Sequence, residues 1–380
     1  LGLLSERGVL SIPVSIREFT VYAAKMVETT RRALIARGVK DPAAHLIVYR
    51  SAWNVRILAS PTPFTAADIA QLKQFAEARS FDTPHFPGID PKKISVWNDL
   101  PPILLESDTM QTSEVAQDAL RDQVSALLGP GNVEFLKANF FDLQPSTLDR
   151  PFFYSILRLE KLPQILKKIA LVPREEVGYL VNVAVLVQAL LFAVLVLGLP
   201  LLRYRNKRPA AGTVTKAIVY FASLGLGFLF FEILFIEKMA YFLNDRTYAF
   251  AVVLSAMLIF SGFGSFYCSR FLKDPARGVR FALAIVAAWS LLAMLGLDAL
   301  MQALLDAPFA AKLAVATTLA APLAFGLGMP FPLGLYLFRG KNDHFLPWAW
   351  SLNGAFSVVA TPAANLLAVS FGYTLLLVLG

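Results

Sequence analysis

Cysteine and histidine are nearly missing from this sequence. It has one cysteine, Cys268, and three histidines, His45, His85 and His344, in 380 residues. A single cysteine excludes an internal disulfide and a cysteine-based metal cluster. The histidines stand far apart and alone, so no zinc-binding spacing arises and no metal site is expected. Charge is scarce too: charged residues make up 16% of the chain, against about a quarter in soluble domains. Residues 1–150 also lack a glycine-rich turn; Gly2 and Gly8 stand alone. Nucleotide-type cofactors need such a turn beside the first strands of their domain. No catalytic and no cofactor-binding residue can therefore be assigned from this stretch.

What the sequence does have is length of apolar run. Val177 to Leu202 reads VGYLVNVAVLVQALLFAVLVLGLPLL, with no charge over 26 residues. A bilayer core needs roughly 20 apolar residues as a helix. Spans are expected at about 177–202, 217–243, 248–267, 280–303, 310–338 and 348–371, with a seventh starting near Tyr373. The expected layout is a soluble domain over 1–155, a juxtamembrane linker over 156–176 and a transmembrane bundle over 177–380. The chain opens without an initiator methionine or signal peptide and stops inside the apolar run GYTLLLVLG. It is therefore expected to be part of a longer polypeptide.

The net charge of +8 follows largely from loops flanking the spans: Arg203, Arg205, Lys207 and Arg208, then Arg270, Lys273, Arg277 and Arg280. Basic flanks are a normal result of membrane insertion. They lack aromatic interleaving, so nucleic acid is not an expected partner. The loops after the first, third and fifth spans hold most of the Lys and Arg. The positive-inside rule then places them in the cytoplasm and the soluble half outside. Arg158, Lys161, Lys167, Lys168 and Arg174, crowding the soluble side of the first span, vote the other way. Sidedness stays open.

In the first half, Ser5-Glu6-Arg7-Gly8 resembles a glycine turn leading into a strand at Val9–Ile12. Residues 17–37 carry Phe19, Ala23, Met26, Val27 and Leu34 at helical spacing and close at Gly38. His45–Tyr49 and Val55–Ala59 form an expected antiparallel hairpin. Thr65-Ala66-Ala67-Asp68 is a capping box for a helix to about Arg79. Residues 82–112 read as loop, and a helix near 113–128 ends at Gly129-Pro130-Gly131. This order suits the tail of an α/β sheet whose last strands turn antiparallel. Asp142 and Asp149 are the nearest candidates for a catalytic carboxylate, although lone loop aspartates usually form turns and caps.

In the second half, Glu232 lies near the middle of the second span. A carboxyl there is costly and faces the bundle interior, either as a cation or proton site or as a packing lock. Glu237 is expected at the interface, paired with Lys238 or Arg246. Gly225, Gly227 and the Ser261–Ser265 stretch supply small surfaces for close helix approach. Gly326-Leu327-Gly328-Met329-Pro330-Phe331-Pro332-Leu333-Gly334 must break or bend its helix, since two prolines remove backbone donors. Asn353, beside the interfacial Trp348 and Trp350, is a candidate donor to Glu232.

Several of these stretches occur together, in order: Leu4–Ser11, Pro63–Ile69, the loop Phe141–Phe153 and GLGFLFFEILFIEKMAYFL, then SGFGS, GMPFPLG and WAWSLNGAFSV. Together they resemble the membrane-embedded spermidine synthase-like proteins of bacteria, which are similar to polyamine aminopropyltransferases with added transmembrane helices. The resemblance covers nearly the whole chain. It implies the C-terminal part of a Rossmann-like methyltransferase/aminopropyltransferase domain followed by an all-α multi-pass bundle in a bacterial inner membrane. It further implies S-adenosylmethionine or its decarboxylated form as cofactor. Asp149-Arg150-Pro151-Phe152-Phe153 matches that family's Asp-Arg-Pro-Phe-Phe ending, which makes Asp149 and Arg150 substrate-loop candidates. Leu148 replaces the first Asp of the family's pattern and weakens that assignment.

Two readings of function follow. The first is a membrane protein that transfers an aminopropyl or methyl group to an amine. The second is a non-catalytic membrane subunit of a larger complex, or a transporter-like bundle. Expected partners are the lipid bilayer and other membrane subunits.

Overall fold

The structure is a computed structural model describing all residues except 1–3, 17–18, 91–95, 101–116, 168, 170–171, 204–210 and 339–345, with backbone only at 198–203, 211–214 and 346. The chain divides into two compact units. One comprises residues 1–147 with 151–179, the other residues 148–150 with 180–380.

The first unit opens with strand β1 (Leu10–Ser15) and helix α1 (Val21–Ala36). The hairpin follows as β2 (Leu46–Arg50) and β3 (Asn54–Ala59), with Arg50 opposite Val55 and Leu46 opposite Ala59. β1 adds antiparallel to the far side of β3. Helix α2 (Ala66–Glu77) starts at the expected capping box, in which the Thr65 hydroxyl accepts from Asp68 N and Asp68 accepts from Thr65 N. That carboxylate is held below its usual range chiefly by the Thr65 hydroxyl hydrogen bond.

Strand β4 (Asp82–His85) completes a four-stranded sheet in the order β1-β3-β2-β4, with every strand pairing antiparallel. The sequence reads 82–85 as loop because Asp and Pro disfavour strands. Tertiary contacts override that preference. Asp82 is fully buried, accepts from Trp97 N and Asn98 N, and pairs with the buried Arg50 at 3.3 Å.

Helices α3 (Ala119–Leu128) and α4 (Asn132–Ala138) follow, α3 capped by Asp118. The expected start of α3 near 113 lies outside the described residues. The core of this unit packs α1 and α3 on the sheet, through Val27, Leu34, Val48, Ile57, Leu120 and Val124. The expected linker 156–176 is part of this unit. Ile156 and Leu157 are buried, and helix α5 (Leu162–Lys167) turns Ile165 inward.

The second unit is helical: α6 (Val177–Arg203) from Leu180 onward, α7 (Ala211–Leu243), α8 (Arg246–Tyr267), α9 (Pro275–Ala303), α10 (Phe309–Gly328), α11 (Pro330–Phe338), α12 (Leu346–Phe371) and α13 (Tyr373–Leu379). Among the described residues, six segments are long and apolar enough to cross a membrane, with α10 and α11 together making the fifth. Their boundaries follow the charge and proline punctuation of the sequence. Asp245 and Asp274 cap α8 and α9, and Pro330 begins α11. α7 is the central helix: Phe221, Phe231, Leu234, Phe235, Met239 and Phe242 are all fully or almost fully buried.

Small residues set the closest crossings. A Cβ on Gly264 would overlap the Phe325 carbonyl oxygen, and one on Gly328 would overlap that of Ser261, so α8 and α10 meet backbone to backbone. Gly225 plays the same part between α7 and α12, where a Cβ would overlap the Asn353 carbonyl. Gly262, in the same SGFGS stretch, faces open space.

Candidate functional site

The substrate-loop candidates Asp149 and Arg150 both make hydrogen bonds within the second unit. Asp149 Oδ1 accepts from Thr374 N at 2.8 Å and from the Thr374 hydroxyl at 2.7 Å, capping the start of α13. Its backbone carbonyl accepts from Tyr373 N at 2.9 Å. Gly372, between α12 and α13, has φ +92°, and a Cβ there would strike the Asp149 carboxylate. Only glycine both reaches that conformation easily and leaves this room. Arg150 Nε donates to the Val369 carbonyl at 2.6 Å, satisfying one of the four acceptors that the C-terminus of α12 leaves free. Lys238 Nζ donates to the Leu148 carbonyl at 3.3 Å. Leu148–Arg150 is thus clasped by α7, α12 and α13.

The rest of that motif is held inside the first unit. Lys25, 2% exposed, donates to the Phe152 carbonyl at 3.1 Å and the Ser155 carbonyl at 2.6 Å. Tyr22 packs edge-on against Tyr154 and near Phe153. Burial, with Glu176 adding, pushes the Tyr22 hydroxyl far above the usual phenol range. Asp142 closes a local turn by accepting from Gln144 N. His45 and His85 donate to backbone carbonyls, those of Ser60 and Ala43, at 3.0 Å each. His344 lies outside the described residues.

The intramembrane candidates do not meet. Glu232 is half-buried on α7, and its carboxyl forms no hydrogen bond or ion pair with the described residues. Asn353 lies beside Gly225, seven residues from Glu232 along α7, or about 10 Å along the axis. The Asn353 carbonyl accepts from the Ser357 hydroxyl at 2.8 Å. Glu237 pairs with Arg246 at 2.8 Å, one of the two expected partners. Lys238 instead reaches Asp298 on α9 at 2.7 Å and stands over the Tyr373 ring.

The broken fifth segment is the most shaped feature of the bundle. Pro330 and Pro332 remove two donors where α10 gives way to α11, and Met329 between the two helices is fully buried. The Tyr220 hydroxyl of α7 donates to the Pro330 carbonyl at 2.6 Å. A Cβ on Gly334 would strike the Tyr220 ring, so this glycine lets the broken segment dock on α7. One turn before Pro322, which lies inside α10, the Trp289 indole of α9 donates to the Leu319 carbonyl at 2.9 Å. Beside the break, α7, α9 and α11 enclose a groove of about 560 Å³ lined by Val219, Tyr220, Leu224, Leu283 and Phe338, with Lys216 on its wall.

No family model matches the chain, and no curated protein or solved structure matches it either. The site is therefore argued from geometry. Sequence reasoning singled out the break but not Tyr220, Lys216 or the Lys238–Asp298 pair. The signals were present: a tyrosine within an apolar helix needs a partner for its hydroxyl, and a lysine there needs an acceptor.

Proposed function

We propose that this chain is the membrane-embedded part of a spermidine synthase-like protein, which transfers an aminopropyl or methyl group from an S-adenosylmethionine-type donor to an amine. One observation carries the reading: the ordered motifs of the resemblance fall on positions that the packing needs. Gly264 and Gly328 lie where α8 and α10 approach closely, Gly334 lies against Tyr220, and Asp149-Arg150 forms the clasp at α12 and α13. In this reading the bundle anchors the protein in a bacterial inner membrane, and the first unit is the C-terminal part of the Rossmann-like domain.

The reaction is a displacement. The donor, when bound, would supply a sulfonium-activated carbon for an amine to attack, with the thioether as leaving group and the amine's proton passing to a base. Catalysis would rest on orienting the amine and accepting that proton. Asp149 and Arg150 tie the loop to the bundle through Thr374 and the Val369 carbonyl. Titration calorimetry of the full-length protein with S-adenosylmethionine and with its decarboxylated form tests the proposal. Saturable binding of either supports it, and no heat with both sinks it.

One observation favours a second reading, a transporter-like bundle or non-catalytic membrane subunit. Glu232 carries an unpartnered carboxyl within a membrane-length helix, a place where such groups usually serve function. In that case Glu232→Gln abolishes cation-coupled uptake in proteoliposomes; unchanged uptake removes the transport version.

A further inference from the structure

We propose that the groove between α7, α9 and α11 is a binding site for an anionic phospholipid, with one acyl chain in the groove and the headgroup phosphate at Lys216. This inference goes beyond the transferase reading and does not depend on it.

The groove has the right shape and polarity. Its lining from Lys216 to Leu224 extends about 12 Å along α7, long enough for much of an acyl chain to lie beside the helix. Val219, Leu224, Leu283 and Phe338 give it apolar walls. Tyr220 adds ring surface only, because its hydroxyl is turned to the Pro330 carbonyl. The volume, about 560 Å³, falls within the range of sites that hold small molecules. The helix break makes the space. With Gly334 against Tyr220 and Gly278 against Leu333, α11 docks tightly on both neighbours, while its Phe338 end stands at the groove.

Charge selects the headgroup. Lys216 lies in the first turns of α7, is exposed, and makes no ion pair among the described residues. Arg280 follows the lining residue Val279 on α9, and Arg277 lies one turn earlier. The described carboxylate near them, Asp274, is engaged in capping α9 by accepting from Arg277 N. At the opposite ends of α7 and α9, Glu237 is paired with Arg246 and Asp298 with Lys238. Cations beside an apolar slot at one membrane face match a lipid with a net negative headgroup rather than a zwitterionic one. The Ser223 hydroxyl adds a donor within the groove.

The test measures lipid retention by native mass spectrometry on the purified full-length protein. The probes are a phosphatidylglycerol and a phosphatidylcholine of identical acyl chains. The wild type is expected to retain the anionic lipid about fivefold better, the ratio expected from one lysine acting on an anionic lipid. Lys216→Glu is expected to bring the ratio to one or below, and Lys216→Arg to preserve it. Ser223→Trp fills the groove and is expected to reduce retention of both lipids. Excess inorganic phosphate is expected not to displace the lipid, since the acyl chain holds it. Equal retention of the two lipids by the wild type overturns the proposal. So does displacement by inorganic phosphate, an unchanged ratio in Lys216→Glu, or full retention in Ser223→Trp. Should Lys216→Glu fail to fold, the wild-type ratio and the phosphate competition still decide.

Discussion

Gly264→Ala and Gly262→Ala form a matched pair that isolates the close approach of α8 and α10. Both glycines lie in α8, two residues apart, so the gain in helix propensity, about 1 kcal/mol for glycine to alanine, is shared and cancels in the difference. What does not cancel is space. A methyl at 262 meets nothing within 4 Å, whereas one at 264 falls inside contact distance of the Phe325 carbonyl oxygen. That oxygen belongs to the backbone of α10, so no side-chain rotation relieves the overlap and the helices must part. Overpacking of this kind costs about 1–3 kcal/mol. Parting also loosens the reciprocal contact of Gly328 with Ser261, so we expect a difference near 2 kcal/mol, or about thirtyfold in the unfolding constant. Reversible unfolding in mixed micelles, followed by helical circular dichroism with sodium dodecyl sulfate as denaturant, measures it. Gly262→Ala should match or exceed the wild type while Gly264→Ala falls well below. A difference under about 0.5 kcal/mol would refute the argument that this glycine is present for helix contact.

Two further predictions concern the first unit. Arg50→Met leaves the buried Asp82 and Asp118 without the cation that lies 3.3 and 3.2 Å from them, so we expect a loss of about 3–5 kcal/mol, read as protection from proteolysis against urea; a loss below about 1 kcal/mol would mean the carboxylates are satisfied without it. His85 contributes to the pH dependence. Burial holds its imidazole below the usual 6.5, with the hydrogen bond to Ala43 opposing in part. The folded state therefore stays deprotonated where the unfolded chain has already taken a proton. Stability is full above 6.5 and falls as pH drops from there toward the folded-state value. Comparing urea midpoints at pH 7.5 and 5.5 should show a smaller drop for His85→Gln than for the wild type, and equal drops would remove His85 as the cause.

Much of this architecture is legible in the residues alone. An uncharged run such as Val177–Leu202 has few alternatives to a membrane-length helix, because its length matches the bilayer and it lacks groups that favour water. Thr65 with Asp68, and Gly328 to Gly334, act through their own backbone, so a cap and a helix break can be read directly. The hairpin at 46–59 was legible for the same reason, since its strands are neighbours in sequence. β4 was not. Its Asp82 is strand-compatible only because Arg50, Trp97 and Asn98 converge on it from elsewhere in the chain.

The candidate site divides along the same line. The sequence by itself determined that Glu232 lies in an apolar helix, that the fifth segment is broken, and that SGFGS offers small surfaces. The tertiary structure decided which of these meet. Asn353 falls beside Gly225 rather than Glu232, Lys238 takes Asp298 rather than Glu237, and Gly264 makes the helix contact while Gly262 does not. It also decided that Asp149 and Arg150 hold the start of α13 and the end of α12. Composition and periodicity act over one or two helical turns, so they fix where a helix runs and what it carries. Which face meets which neighbour depends on how helices far apart in sequence pack, and no local pattern records that.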